Sequence, residues 1–160
     1  MVITQTIEFA TVEEEQALRE IFLQYDMDMA GPVEHHVVMK EDHVILAGAM
    51  LSQLDSKMNF HLAVFAVTPE RQHQNIGGKL LNGMMRRPWQ YCRNAVKSPN
   101  GFYRLTTLAK GSAAKFYEKQ GFIRCDFTSL AHPFDVQCQI CPDRERCQPM
   151  PMMTERRTVI

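Results

Sequence analysis

The chain has no surplus of charge: its 18 Lys and Arg residues offset 18 Asp and Glu, for a formal net charge of zero. No long basic run appears, and the paired Arg156 and Arg157 fall near the end, so nucleic acid is not an expected partner. No apolar run approaches the ~20 residues a membrane helix needs, and the start lacks a signal-peptide core. These absences predict a cytoplasmic protein that does not engage a membrane. Cysteines are odd in number, Cys92, Cys125, Cys138, Cys141 and Cys147, and crowd toward the end. That usage fits a reducing compartment better than a disulfide framework. With 160 residues the chain is long enough to bury a sizeable core, most simply as one domain.

Two familiar phosphate-binding turns are also missing. A Walker loop needs Ser or Thr after its lysine, and Leu80 follows Lys79; a dinucleotide turn needs three spaced glycines, which are absent. What the chain has instead is the stretch from Phe65 to Leu81, FAVTPERQHQNIGGKLL. Val64, Phe65, Ala66 and Val67 read as the end of a buried strand that Pro69 stops. Ile76, Leu80, Leu81, Met84 and Met85 form one stripe of an amphipathic helix, expected from Ile76 to Arg87 and ending near Pro88. Gln72 to Gly78 then becomes a turn that gathers N–H groups at a helix N-terminus, with Gly77 and Gly78 allowing close approach. Such a turn suits an anion, above all a pyrophosphate.

Gln72, His73, Gln74, Asn75, Ile76 and Gly77 resemble motif A of the GNAT acyltransferase superfamily, Gln/Arg-x-x-Gly/Ala-x-Gly/Ala. Asn75 stands where the family usually has glycine, a mild departure because asparagine tolerates a left-handed backbone. A second stretch, GSAAKFYEKQGF at 111–122, resembles motif B, with Ala113, Tyr117, Glu118, Lys119, Gly121 and Phe122 matching and Lys110 where an asparagine is common. The resemblance covers about residues 1–130. It implies a mixed α/β fold, the GNAT fold: a splayed β-sheet of six to seven strands, flanked by helices on both faces and opened between its fourth and fifth strands to hold acetyl-CoA.

The rest of the chain agrees with this order of elements. Residues 2–9 read as a strand, and Thr11 with Glu14 as a capping box that opens a helix. Ala17, Leu18, Ile21, Phe22 and Tyr25 follow at helical spacing. Residues 33–39, 43–51 and 58–67 read as strands, the first two joined by a turn at Lys40, Glu41 and Asp42. Phe102 to Ala109 is a further strand. His35 and His36 must point to opposite faces.

From the resemblance follow site roles. Backbone N–H groups near Ala66 and Val67 would hold the thioester carbonyl. The amides of Gln72, His73, Gln74, Asn75, Ile76, Gly77 and Gly78, with Lys79, would hold the pyrophosphate. Lys110 stands where a family asparagine contacts the pantetheine arm or the helix start, and Tyr117 would donate to the departing sulfur. Many family members carry a glutamate base where Ala63 stands here. His61, two residues earlier on the same face, is either a replacement base or a residue that lines the sheet or meets solvent.

Past motif B, CQICPDRERC places Cys138, Cys141 and Cys147 close in sequence, with Cys125 or His132 as a fourth candidate. A thiolate site for zinc, or for an iron–sulfur cluster, is one reading; reduced or paired thiols are the other. Residues 131–160 are expected to form a cysteine-rich extension packed on the same domain, with residues 149–160 a mostly flexible tail. The function expected is acetyl-CoA-dependent N-acetyl transfer to a primary amine of a small molecule or protein. The alternative is a non-catalytic acyl-CoA or metal-responsive sensor. A homodimer would be compatible with the added C-terminal segment.

Overall fold

A computed structural model describes residues 4–158. It is a mixed α/β fold whose seven-stranded, mostly antiparallel sheet has the order β1-β2-β3-β4-β5-β7-β6 and is flanked by helices. Two compact units divide the chain: residues up to Ser52 with Leu62–Lys97, and Gln53–His61 with the residues from Ser98 onward.

In the first unit, β1 (Gln5–Phe9) pairs antiparallel with β2 (His36–Glu41), and β2 with β3 (Val44–Gln53). The expected first strand also took in residues 2 and 3, which lie outside the described residues. Asp42 and His43 close the β2–β3 hairpin with φ values of 49° and 71°, so the turn lies one residue later than the sequence suggests. Two consecutive left-handed residues are what the right-handed twist of a tight hairpin demands. Residues 33–35 form a 3-10 turn rather than strand. The Thr11–Glu14 capping box is present, with the Thr11 N–H donating to Glu14 Oε1 at 2.9 Å, and it opens a 3-10 turn that runs into α1 (Glu15–Leu23). Leu18, Ile21 and Phe22 of α1 pack with Ala10, Val33, Val38, Met50, Val64 and Ala66. Gly48 of β3 allows this contact, because a Cβ there would collide with Leu18. Ala17 is exposed and Tyr25 half-buried, so the packed face is narrower than the pattern implies.

The strand β4 (Asn59–Val67) leads into α2 (Ile76–Met85), whose Ile76, Leu80, Leu81, Met84 and Met85 are all buried. α2 stops two residues earlier than expected, and Pro88 begins a new 3-10 turn where its missing N–H costs nothing.

In the second unit, β5 (Phe102–Ala109) pairs along its whole length with β7 (Met150–Arg157), and the short β6 (Ile123–Arg124) pairs with the other edge of β7. This corrects the flexible-tail reading: residues 150–157 are an ordered strand, with Pro151, Met152 and Thr154 buried. Cys125 N donates to the Pro151 carbonyl at 3.0 Å. In an extended strand a residue's N and C=O point the same way, so the missing Pro151 N–H faces Cys125 and leaves the β5 ladder intact. α3 (Ala114–Lys119) and α4 (Arg144–Cys147) complete the unit.

Candidate acyl-CoA site

The turn after β4 is built from two left-handed residues, His73 at φ 67° and Asn75 at φ 60°. Asn75 is the N-cap of α2 and makes no side-chain bond to the helix's first N–H groups. Gln72, His73, Gln74, Asn75 and Lys79 are exposed, whereas Ile76, Gly77 and Gly78 are buried. The helix therefore begins as a buried backbone beneath an exposed polar rim, a geometry that suits an anion.

Side chains from elsewhere in the first unit fix the turn. Arg71 reaches Glu41 through Nη1 and Nη2 at 3.1 and 3.0 Å, and its Nε donates to Gln74 Oε1 at 2.6 Å. The Arg71 guanidinium, and then Gln5, hold the Glu41 carboxyl below its ordinary pKa. A bidentate, charge-assisted pair of this kind sets orientation as well as distance. Gln72 Nε2 donates to the Tyr25 hydroxyl, which itself donates to the Val67 carbonyl oxygen at 2.5 Å. Neither Tyr25, Arg71 nor Glu41 was legible as a site residue in the sequence, because each acts across 30 residues or more.

In the second unit, Tyr117 is 6% exposed and hydrogen-bonded to Thr107. Burial pushes its pKa up, with the Thr107 bond opposing, so the phenol keeps its proton. Its ring meets those of Phe116 and Phe122 edge-on, at centroid distances of 5.2 and 5.3 Å. The end of α3 is a Schellman motif: Phe122 N donates to Tyr117 O at 3.0 Å and Gly121 N to Glu118 O at 3.1 Å, with Gly121 at φ 94°. The spacing of Tyr117, Gly121 and Phe122 thus has a folding reason as well as a chemical one. Lys110 is half-buried and caps the 3-10 turn Gly111–Ala113 that leads into α3, its carbonyl accepting from Ala113 N at 2.8 Å.

The candidate base His61 is 2% exposed. Its Nδ1 lies 2.8 Å from Thr106 Oγ1, which is 3.3 Å from the Phe60 carbonyl oxygen. Thr106 has one proton to give, so its two bonds are linked: when it donates to Phe60 it accepts from a protonated Nδ1. Burial lowers the His61 pKa to about 4. The imidazole is therefore neutral at pH 7 and covered, with Thr106 against its Nδ1.

A family model described as Acetyltransferase (GNAT) domain matches residues 32–124. The chain belongs to the GNAT acetyltransferase family. A comparison with curated protein sequences finds no match. Among solved structures, the GNAT chain is similar to N-acetylglutamate synthase from Neisseria gonorrhoeae complexed with coenzyme A and N-acetyl-glutamate, at 14% identity and TM-score 0.69, covering 95% of this chain and 35% of that one. It thus spans about a third of that protein's length. It is also similar to Ard1 from Thermoplasma volcanium (13% identity, TM-score 0.64, 98% and 99% covered) and to the ribosomal-protein-S18-alanine N-acetyltransferase from Escherichia coli (14%, 0.63, 98% and 96%). At these identities the likeness is one of fold.

The C-terminal cysteines are not gathered into the expected metal site among the described residues. Cys125, Cys138, Cys141 and Cys147 are free thiols, and among the described residues no group of three or more His, Cys, Asp or Glu side chains is arranged to hold a metal ion. Cys138 and Cys141 do share a turn, Cys141 N donating to Cys138 O at 3.3 Å. Burial, followed by the neighbouring Cys141 and Cys147 thiols, pushes the Cys138 pKa up. The other candidate, His132, is engaged at the surface by Asp135 at 3.2 Å.

Proposed function

We propose that the protein transfers an acetyl group from acetyl-CoA directly to a primary amine of a small molecule or a protein. The observation that carries this is the turn from Gln72 to Gly78: two left-handed residues open α2 without a side-chain cap, and Arg71 and Tyr25 brace them. In this reading the amides of Gln72–Gly78 and the exposed Lys79 receive the pyrophosphate. Backbone N–H groups near Ala66 and Val67 receive the thioester carbonyl, and Lys110 lies along the pantetheine arm. The acceptor nitrogen attacks the carbonyl carbon, the oxygen takes up the negative charge, and the C–S bond then breaks. Tyr117 donates its hydroxyl hydrogen bond to the departing sulfur, while the amine proton passes to solvent. The likeness to a coenzyme A complex and to an alanine N-acetyltransferase supports this chemistry without selecting an acceptor.

The test is release of the CoA thiol from acetyl-CoA by the full chain, measured against a panel of α-amino acids, polyamines and peptide N-termini. Acceptor-dependent release is expected. Saturable acetyl-CoA binding without release for any amine would favour a binding module instead.

A further inference from the structure

Tyr25 follows α1 in the first unit, and its half-buried hydroxyl joins two parts of the chain. It donates to the Val67 carbonyl oxygen at 2.5 Å and accepts from Gln72 Nε2. A phenol has one proton to give and lone pairs to receive, so both bonds coexist. Burial raises the Tyr25 pKa, against the opposing effect of Gln72, so the proton stays in place at neutral pH. The Val67 carbonyl belongs to the peptide that closes β4. The N–H at the other end of that peptide, on Thr68, donates to Leu46 O at 2.7 Å. The closing peptide is thus held at both ends, and Tyr25 supplies one of the two.

We propose that Tyr25 is a positioning residue for the acyl-CoA site, its hydroxyl tying the closing peptide of β4 to Gln72, the first residue of the anion-binding turn. The inference rests on the acyl-CoA reading above. Left-handed His73 and Asn75 make the turn costly to hold, and such conformations persist where neighbouring contacts over-determine them. Arg71 is tethered to Glu41 on one side, and Gln72 to Tyr25 on the other. With the second tether cut, the exposed Gln72 side chain is released and the turn must be ordered by the ligand. That ordering cost is taken from affinity. The aromatic ring is a separate matter, since its packing survives loss of the hydroxyl.

The experiment is calorimetric titration of acetyl-CoA into wild type, Tyr25→Phe, Gln72→Met and the double variant, each well below its melting temperature. Tyr25→Phe should weaken binding about 10-fold, and the double variant should bind no more weakly than Tyr25→Phe, because both changes remove one bridge. Unchanged affinity in Tyr25→Phe, or additive losses in the double variant, would overturn the assignment. Should Tyr25→Phe fail to fold, Gln72→Met decides, since its change is at an exposed side chain: weakened binding supports the bridge and wild-type affinity overturns it. Wild type that does not bind acetyl-CoA at all would remove the acyl-CoA reading itself, and the bridge with it.

Discussion

His61 lies flat against Phe134, the two rings 3.7 Å apart at their centroids and 18° from parallel. With Thr106 on its Nδ1, this contact leaves a neutral imidazole enclosed in the second unit. Folding therefore disfavours protonation: the folded pKa of about 4 lies below the unfolded value of 6.5. The stability that follows is fully present above pH 6.5 and is lost as the pH falls from 6.5 toward 4. For one such group the loss approaches ~3 kcal/mol. Thermal melts between pH 7.5 and 4 should show a steep fall in this window, and His61→Leu should flatten it in part. Part of the slope will remain, because burial also lowers the pKa of His36, whose Nδ1 lies 2.9 Å from Pro32 O and whose Nε2 accepts from Ala30 N. Equal slopes for wild type and His61→Leu would contradict the buried neutral imidazole.

Tyr117→Phe keeps the ring and its edge-on contacts with Phe116 and Phe122 but removes the hydroxyl. Turnover on a good acceptor should fall ~100-fold, with acetyl-CoA affinity little changed. Loss of the Thr107 bond should lower stability by about 1 kcal/mol. Steady-state kinetics beside a binding titration separates these effects. Equal turnover would assign Tyr117 to packing alone.

Gly121→Ala should destabilise the second unit by more than ~1 kcal/mol. At φ 94° an L side chain is strained, and the new Cβ would lie 2.9 Å from Arg156 Nη2, the atom that donates to Gln120 O. Chemical denaturation measures the loss. A midpoint equal to wild type would show that the Schellman turn is replaceable.

Metal content offers another check. The thiols of Cys125, Cys138, Cys141 and Cys147 are free and not gathered into a metal-holding set, so purified protein should carry zinc well below one ion per chain. A chelator should leave its melting temperature unchanged. One tightly held zinc, removed with loosening of the segment around Cys138–Cys147, would overturn this.

Local chemistry explains what could be read in the sequence. Asn75 adopts the left-handed backbone that its side chain tolerates, Pro88 marks where α2 must already have ended, and Gly121 takes the αL position after α3. His35 is exposed and His36 buried, but His35 belongs to the 3-10 turn at 33–35, so strand alternation is not what separates them. β7 was not legible because Met150, Pro151, Met152 and Met153 show no strand period, and Pro151 argues against a strand until its carbonyl's partner, Cys125, is known. Long-range partners were equally hidden. Nothing near Gln72 in sequence points to Tyr25, and nothing near Arg71 points to Glu41. At His61, strand alternation gives the face, but the Phe134 ring stacked on it comes from 73 residues further along.

The central claim, that the turn from Gln72 to Gly78 holds an acyl-CoA, is tested most directly by calorimetric titration of acetyl-CoA into wild type and Gly77→Val. Gly77 lies in the first turn of α2 with its backbone buried beneath the exposed rim. A branched side chain there would crowd the N–H groups that receive the pyrophosphate. Wild type should bind saturably at a single site, and Gly77→Val should lose at least ~10-fold in affinity while keeping its helical circular-dichroism signal. Equal affinity for the two proteins, or no binding by wild type, would contradict the account.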